Sequence, residues 1–317
     1  MYYIGIDLGG TNIVCGLVDV NGKILLKKKC KTKANRPAEE IVQDMAALCD
    51  SVIEEFGCGK EKIAFCGVGT PGIANSESGV VEYSCNIPSF LNFDLVSALK
   101  KYTGFSRIGI ENDANCAAKG EAEAGAAKNS KSSLLVTLGT GVGGGIILDG
   151  KIYHGINFAG GELGHVVIEA GGYPCTCGRF GCWETYSSAT ALCRMTREEM
   201  IKNKESLMWQ FAENNMENVS GRTAFDAYKK GDASAKKVLD RFFYYLALGI
   251  ANMINIFQPE ILSIGGGISA EGETLLAPVR KMVEKQQYSH NCKNQTVLKA
   301  AQLGNDAGII GAALLWR

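Results

Sequence analysis

The chain opens with a pattern that it repeats in the middle. Residues 2–8 alternate around β-forming side chains and run into Gly9-Gly10. A second apolar run, 13–20, reaches Asn21-Gly22, and a third, 23–31, follows. Asn-Gly between two such runs predicts a type I′ hairpin turn. Residues 133–138 restart the pattern with a strand that ends in Gly139-Thr140-Gly141-Val142-Gly143-Gly144-Gly145. Residues 146–148, Asp149-Gly150 and 151–154 then complete a second strand, turn and strand. The architecture repeats although the residues do not. Such a chain is expected to fold as two α/β lobes, each opening on a β-hairpin with a glycine-rich first turn. Two glycine turns facing each other across a cleft can hold a polyphosphate, because backbone N–H groups approach its oxygens closely there.

The rest of the chain reads as helices and one more strand. Residues 38–55 carry Ile41, Met45, Leu48 and Val52 at helical spacing. An Ala-rich helix, 114–125, starts after Asn112-Asp113, and 190–219 read as solvated helices. A buried helix, 242–257, stops at Gln258-Pro259, and strand 261–264 runs into Gly265-Gly266-Gly267. With 317 residues, two domains are expected. They are a small lobe, 1–115, joined by a returning helix at 304–317, and a large lobe, 116–303, containing the cysteine-rich segment 165–184.

Composition excludes several classes of function. Lys+Arg and Asp+Glu are both 33, so no basic excess marks nucleic acid or an anionic membrane as a partner. The start, MYYIGIDLGG, has neither the basic nor the long apolar region of a signal peptide. Segment 242–257 is interrupted by Gly249, Asn252 and Asn255 and is too short to span a bilayer. A cytoplasmic location is expected. Of 12 cysteines, Cys15, Cys30, Cys49, Cys58, Cys66, Cys85, Cys116, Cys193 and Cys292 are scattered and read as reduced, mostly buried thiols.

Three constellations carry chemistry. In Asp7-Leu8-Gly9-Gly10-Thr11 the glycines suit a phosphate cradle, Thr11 adds a hydroxyl, and Asp7 suits Mg²⁺, which prefers oxygen ligands. Glu111-Asn112-Asp113 follows a strand and precedes a helix, where a carboxylate is placed as a general base. Position alone favours the plainer reading of Asp113 as a helix N-cap. Third, Cys175-x-Cys177-x₄-Cys182 lies close to His165, one of 3 histidines in the chain. Three thiols and one imidazole suit a closed, structural Zn²⁺ site. Pro174, Gly178 and Gly181 describe a tight knuckle, whereas buried thiols would sit in a core strand.

Taken in order, these motifs join Gly67-x-Gly69-Thr70-Pro71-Gly72, Gly160-Gly161-Glu162-x-Gly164-His165 and Glu184. The whole chain resembles the ROK family of repressors and sugar kinases, most closely its bacterial glucokinase branch. The resemblance implies an actin-like ATPase fold (ribonuclease H-like, shared by sugar kinases, Hsp70 and actin), with the active site between two lobes. It implies Asp113 as catalytic base. Gly72, Asn86, Asn112, Asp113, Glu162, His165 and Glu184 would meet the sugar. Asp7, Gly9, Gly10, Thr11 and Asn12, with Gly139, Thr140 and Gly141, would bind the phosphates of ATP and its Mg²⁺. Gly265, Gly266 and Gly267 would lie against the adenosine. Many members have Lys where this chain has Asn12, which removes a phosphate charge but not the backbone cradle.

The expected reaction is phosphoryl transfer from ATP to a sugar hydroxyl, driven by positioning and charge stabilisation. The implied sugar residues include three carboxylates and no Lys or Arg. That favours a neutral polyhydroxylated sugar over a sugar phosphate or sugar acid. The residues do not choose among glucose, mannose, fructose, allose and N-acetylmannosamine; the resemblance points to glucose. A sugar-responsive repressor of this family would carry a DNA-binding domain before the phosphate motif, which here begins at Asp7. A non-catalytic sugar-binding protein is the other alternative, against which stand Asp113 and both glycine turns. A homodimer is expected, as the commonest symmetric assembly.

Overall fold

The computed structural model describes all 317 residues. The first sheet is built from β1 (Tyr2–Leu8), β2 (Asn12–Val18), β3 (Ile24–Lys31), β4 (Ile63–Thr70) and, after a small three-stranded sheet of β5 (Ile73–Asn75), β6 (Val80–Tyr83) and β7 (Phe93–Asp94), β8 (Ile108–Asn112). Its order is β3-β2-β1-β4-β8. The second sheet contains β9 (Ser133–Leu138), β10 (Val142–Leu148), β11 (Lys151–Ile152), β12 (Ile261–Gly265) and β13 (Val297–Ala300), in the order β11-β10-β9-β12-β13. Position for position the two orders are the same. The repeated strand-turn-strand grammar of the sequence corresponds to a repeated topology.

The two hairpin tips differ from each other. Asp149 and Gly150 both take left-handed φ, +50° and +76°, as a two-residue type I′ turn requires. At Asn21-Gly22 only Gly22 does so, at φ +83°. Gly22 N–H donates to the Asp19 carbonyl at 3.1 Å, and Asp19 N–H donates to the Lys23 carbonyl at 3.0 Å. The expected type I′ turn is therefore a longer loop with glycine in the bulge position. Asp19 is the reason: its carboxylate accepts from the N–H groups of Asn21 (2.8 Å) and Lys23 (2.9 Å) and winds the loop around itself.

The chain divides into two compact units. The first comprises Met1–Leu135, Gly145–Gly161 and Ala301–Arg317; the second comprises Val136–Gly144 and Glu162–Ala300. Where the sequence suggested a boundary at 115, the first unit runs on through α3 (Asp113–Ala124). In that unit β1 alternates strictly. Ile4, Ile6 and Leu8 join the core under α1 (Ala38–Phe56) and α2 (Leu95–Thr103), with Ile41, Met45, Val52 and Leu99. Tyr3, Gly5 and Asp7 lie on the opposite face. There the C-terminal helix, Ala307–Ala313, lies against β1 and β4 so closely that a Cβ at Gly5 or Gly67 would strike its Ile309 or Ala312 carbonyl. Tyr3 stacks on Trp316 with ring centroids 5.0 Å apart. Buried Glu121 of α3 pins the returning chain by accepting from the N–H groups of Gln302 (2.9 Å) and Leu303 (2.8 Å).

The second unit carries α4 (Glu184–Ser187), α5 (Ala189–Lys202), α6 (Met208–Phe211), α7 (Thr223–Lys229), α8 (Ala233–Phe257) and α9 (Glu273–Gln286). The buried helix begins nine residues before the expected start at 242, because Asp232 caps it, accepting from Ala235 N–H at 2.7 Å. Trp183 is fully buried and donates to the Tyr245 carbonyl of α8 at 3.1 Å. No helix is long and apolar enough to cross a membrane.

Candidate active site

In the first unit, sequence-predicted residues converge at the C-terminal ends of β1, β4 and β8. Gly9 N–H closes the first glycine turn on the Asn12 carbonyl at 2.9 Å. Thr32 braces the turn, its hydroxyl donating to the Gly9 carbonyl at 2.6 Å and its N–H to the Thr11 carbonyl at 3.0 Å. Asn86 faces this turn: a Cβ on Gly10 would lie 3.2 Å from the Asn86 Cβ. Asn12 begins β2, opposite Lys31 of β3. Asp7 points toward Gly308 of the C-terminal helix, where the missing side chain leaves room for its carboxyl. Burial first, and the charge of Asp113 second, push its pKa up to about 6.

Asn112 takes the capping role that the sequence allowed for Asp113. Its Oδ1 accepts from the N–H groups of Ala114 (2.9 Å) and Asn115 (3.2 Å), and its Nδ2 donates to the Gly72 carbonyl at 3.0 Å. Asp113 is instead the first residue of α3, with Oδ1 accepting from Ala114 N–H at 2.8 Å. Gly72 has φ +95°, and a Cβ there would strike the Tyr83 carbonyl, so the loop after β4 reaches Asn112 only with glycine at this place. Behind Asn112, Glu111 is buried, and burial raises its pKa against the hydrogen bonds it accepts.

In the second unit the glycine turn Gly139-Thr140-Gly141 closes through Gly139 N–H to the Gly141 carbonyl at 3.0 Å. The start of α5 holds it: Ala189 N–H donates to the Gly139 carbonyl and the Thr190 hydroxyl to the Thr140 carbonyl, both at 2.8 Å. A pocket of about 380 Å³ opens beside the turn, lined by Gly139, Thr140, Ser220, Gly221, Arg222 and Gly267, with Leu138, Ile268 and Glu271. Gly266 takes φ +84° against the Leu138 carbonyl, as the turn between β12 and Gly267 requires. Ser220, Gly221 and Arg222 were not foreseen. They lie in the loop before α7, and their only sequence signal is one glycine among polar residues.

His165, Cys175, Cys177 and Cys182 come together with all four ligand atoms within 4.8 Å of one another. Cys177 Sγ and Cys182 Sγ are 3.6 Å apart, and Cys175 Sγ lies 3.5 Å from His165 Nδ1. A tetrahedral zinc with Zn–S of about 2.3 Å and Zn–N of about 2.1 Å needs edges of about 3.6–3.8 Å. The knuckle is shaped by a bridge between Pro174 and Phe180 and by left-handed Gly178 and Gly181. Glu184 links this cluster to the glycine turn. Its Oε1 lies 3.3 Å from Cys175 Sγ and 3.8 Å from His165 Nδ1, while Oε2 sits where a Cβ of Gly141 would be. Glu162, exposed, opens the short helical turn that carries His165, whose N–H donates to the Glu162 carbonyl at 3.1 Å.

A twice-used α/β sheet with a glycine turn after each first strand defines the actin-like ATPase class of fold, here with mixed sheets. The chain belongs to the ROK family, whose model matches residues 3–317. It is 40% identical over 310 residues to a glucokinase of Thermotoga maritima, covering 98% of this chain and 95% of that protein. It is 37% identical over 316 residues to a glucokinase of Halalkalibacterium halodurans, covering 99% and 94%. A crystal structure of a ROK family glucokinase from Streptomyces griseus, in complex with glucose and AMPPNP, superposes with a TM-score of 0.82 at 32% identity, covering 99% of both chains.

Proposed function

We propose that this protein is an ATP-dependent glucokinase, transferring the γ-phosphoryl group of ATP to the 6-hydroxyl of D-glucose. Similarity to glucokinases along nearly the whole chain supports the activity and the sugar. The observation that carries the catalytic assignment is the division of labour at the start of α3. Because Asn112 caps the helix, the carboxylate of Asp113 is not needed for that and serves as general base. Asp113 takes the proton of the 6-hydroxyl as its oxygen attacks the γ-phosphorus, and ADP leaves.

Asn112, the Gly72 loop, Asn86, Glu162, His165 and Glu184 are suited to accept from and donate to sugar hydroxyls, at roughly 1.5–3 kcal/mol for a hydrogen bond to a charged group. The turns at Gly9-Gly10-Thr11-Asn12 and Gly139-Thr140-Gly141 hold phosphates through backbone N–H groups. The pocket lined by Gly267 and Arg222 takes the adenosine, and Gly265 and Gly266 immediately precede Gly267 in the chain. Asp7 is suited to hold Mg²⁺, since a cation offsets the burial that suppresses its ionisation. Magnesium, when bound with ATP, supplies charge neutralisation on the phosphates.

The four-residue cluster fits a structural zinc by donor type and spacing. With His165 Nδ1 committed to the cluster, Nε2 is fixed as an N–H donor for a sugar oxygen. We also propose a cytoplasmic homodimer. Twelve cysteines with no disulfide among them fit a reducing compartment, and two-fold pairs are the commonest assembly.

The test is coupled ADP release with Mg-ATP and glucose, mannose, fructose, allose or N-acetylmannosamine. Glucose is expected to give the highest kcat/KM. Another sugar ahead of it by about tenfold, or about 1.4 kcal/mol, overturns the substrate assignment. Absence of ADP release with every sugar overturns the kinase reading.

A further inference from the structure

Between β8, which carries Glu111, and the loop that leads into Glu162 stands a side-chain pair with no part in the chemistry above. Glu111 has a side chain 3% exposed. Its Oε1 accepts from the backbone N–H of Asn112 at 2.9 Å and from Asn115 Nδ2 at 3.1 Å. One carboxylate oxygen thus holds the turn that carries Asn112 and Asp113. The other, Oε2, lies 3.6 Å from His154 Nδ1. That nitrogen is shut away from solvent and has no hydrogen-bond partner. The gap is slightly longer than a hydrogen bond, and a buried imidazole nitrogen short of a partner gains by closing it.

His154 also anchors the loop that follows it. Its ring stacks on Phe158, centroids 5.1 Å apart at 30°, and its carbonyl accepts from Gly160 N–H at 2.9 Å. Gly155, Phe158 and Gly161 take left-handed φ of +69°, +58° and +93°. For Phe158 that backbone is costly, so the wound shape of the loop depends on its contacts with His154. The next residue in the chain is Glu162, assigned above to the sugar. Of the three cations that line the same 430 Å³ cavity as Glu111 and His154, Lys119 and Arg317 pair with Glu123 at 2.8 and 2.9 Å, and Lys151 is the third.

We propose that His154 is a positioning residue, whose Nδ1–H donates to Glu111 Oε2 when the 155–161 loop is drawn onto the sugar, so that sugar binding tightens the Asn112-Asp113 turn. The inference rests on the sugar-kinase reading. The bond holds the turn that orients Asp113 on the sugar, so its loss misplaces that carboxylate in the bound complex and falls on kcat. The cavity beside the ring leaves it room to make that movement.

Three variants of the full chain test the idea, with kcat and both KM values measured for glucose and ATP. Asn places an amide nitrogen near the position of Nδ1, and Gln places one near Nε2. His154→Ala and His154→Gln are expected to lower kcat about tenfold while KM for ATP stays constant, and His154→Asn to recover most of the loss. Wild-type kcat in the Ala variant, or Asn and Gln variants that behave alike, overturns the proposal. A second readout needs no turnover. Imidazole ¹⁵N NMR, simple in a chain with 3 histidines, should report His154 Nδ1 becoming a hydrogen-bonded N–H when glucose is added without ATP. A sugar that binds and leaves that signal unmoved also overturns it. If the wild type phosphorylates no sugar, the kinase reading fails, and the NMR result decides His154 separately.

Discussion

The side-chain amide of Asn112 donates to the carbonyl of Gly72 at 3.0 Å while its oxygen caps α3. One side chain therefore joins the loop after β4 to the helix that begins with Asp113, the proposed base. Asn112→Asp separates the two functions, keeping capping oxygens and losing the donor. An unpaired carbonyl costs about 1–3 kcal/mol. KM for glucose is expected to rise roughly tenfold, and Tm to fall by a few degrees. Unchanged KM in steady-state kinetics would mean that the Gly72 loop reaches the sugar without this tie.

Asp113→Asn keeps the size of the side chain and removes the proposed base. Because the cap is Asn112, the helix start survives. A loss of kcat on the order of 10²–10⁴ is expected, with glucose affinity by calorimetry and Tm near wild type. Activity within about threefold of wild type would place the base elsewhere.

Asp7 predicts a pH dependence. Its pKa is raised from 3.8 to about 6 in the folded chain, mainly by burial. The unfolded chain therefore releases this proton at lower pH than the folded one. Its contribution favours the fold fully below pH 3.8 and is lost as pH rises through about 6. Without nucleotide, Asp7→Asn should raise Tm above pH 6 and lose that advantage toward pH 4. Protonation also removes a Mg²⁺ ligand, so KM for Mg-ATP in the wild type should climb as pH falls below about 6. A KM flat from pH 5 to 8 would count against Asp7 as the cation site.

Elemental analysis of freshly purified protein should find one zinc per chain. Cys177 is exposed, so Cys177→Ser removes little packing. Any fall in Tm and rise in KM for glucose then reports the metal and the orientation of His165. Full activity in the Ser variant, or protein without zinc, would refute the assignment.

Much of this arrangement was legible from spacing. The glycine turns after β1 and β9, the helix start beside Asp113 and the knuckle at 175–182 each follow from residue types close together in sequence. What was illegible depends on groups distant in sequence or on competition between neighbours. Asn112 and Asp113 both suit an N-cap, and the contact with Gly72, forty residues away, tips the choice to Asn112. Asp19 overrides the usual preference of Asn21-Gly22 by binding two N–H groups. Ser220, Gly221 and Arg222 meet Gly139 only through the folding of the second unit. The resemblance to a family named the sugar residues, which spacing alone would not have collected.

The first unit also has a timetable. Tyr3, Val18 and Phe65 share a core with Ile309 and Ala313, which come from the far end of the chain. During synthesis that face of the first sheet stands uncovered while residues 162–300 are made and can complete their own unit. A ribosome adding about 5–20 residues per second leaves it bare for many seconds. The later unit is thus positioned to mature first, and the nascent amino-terminal sheet is a stretch where a chaperone has something to hold.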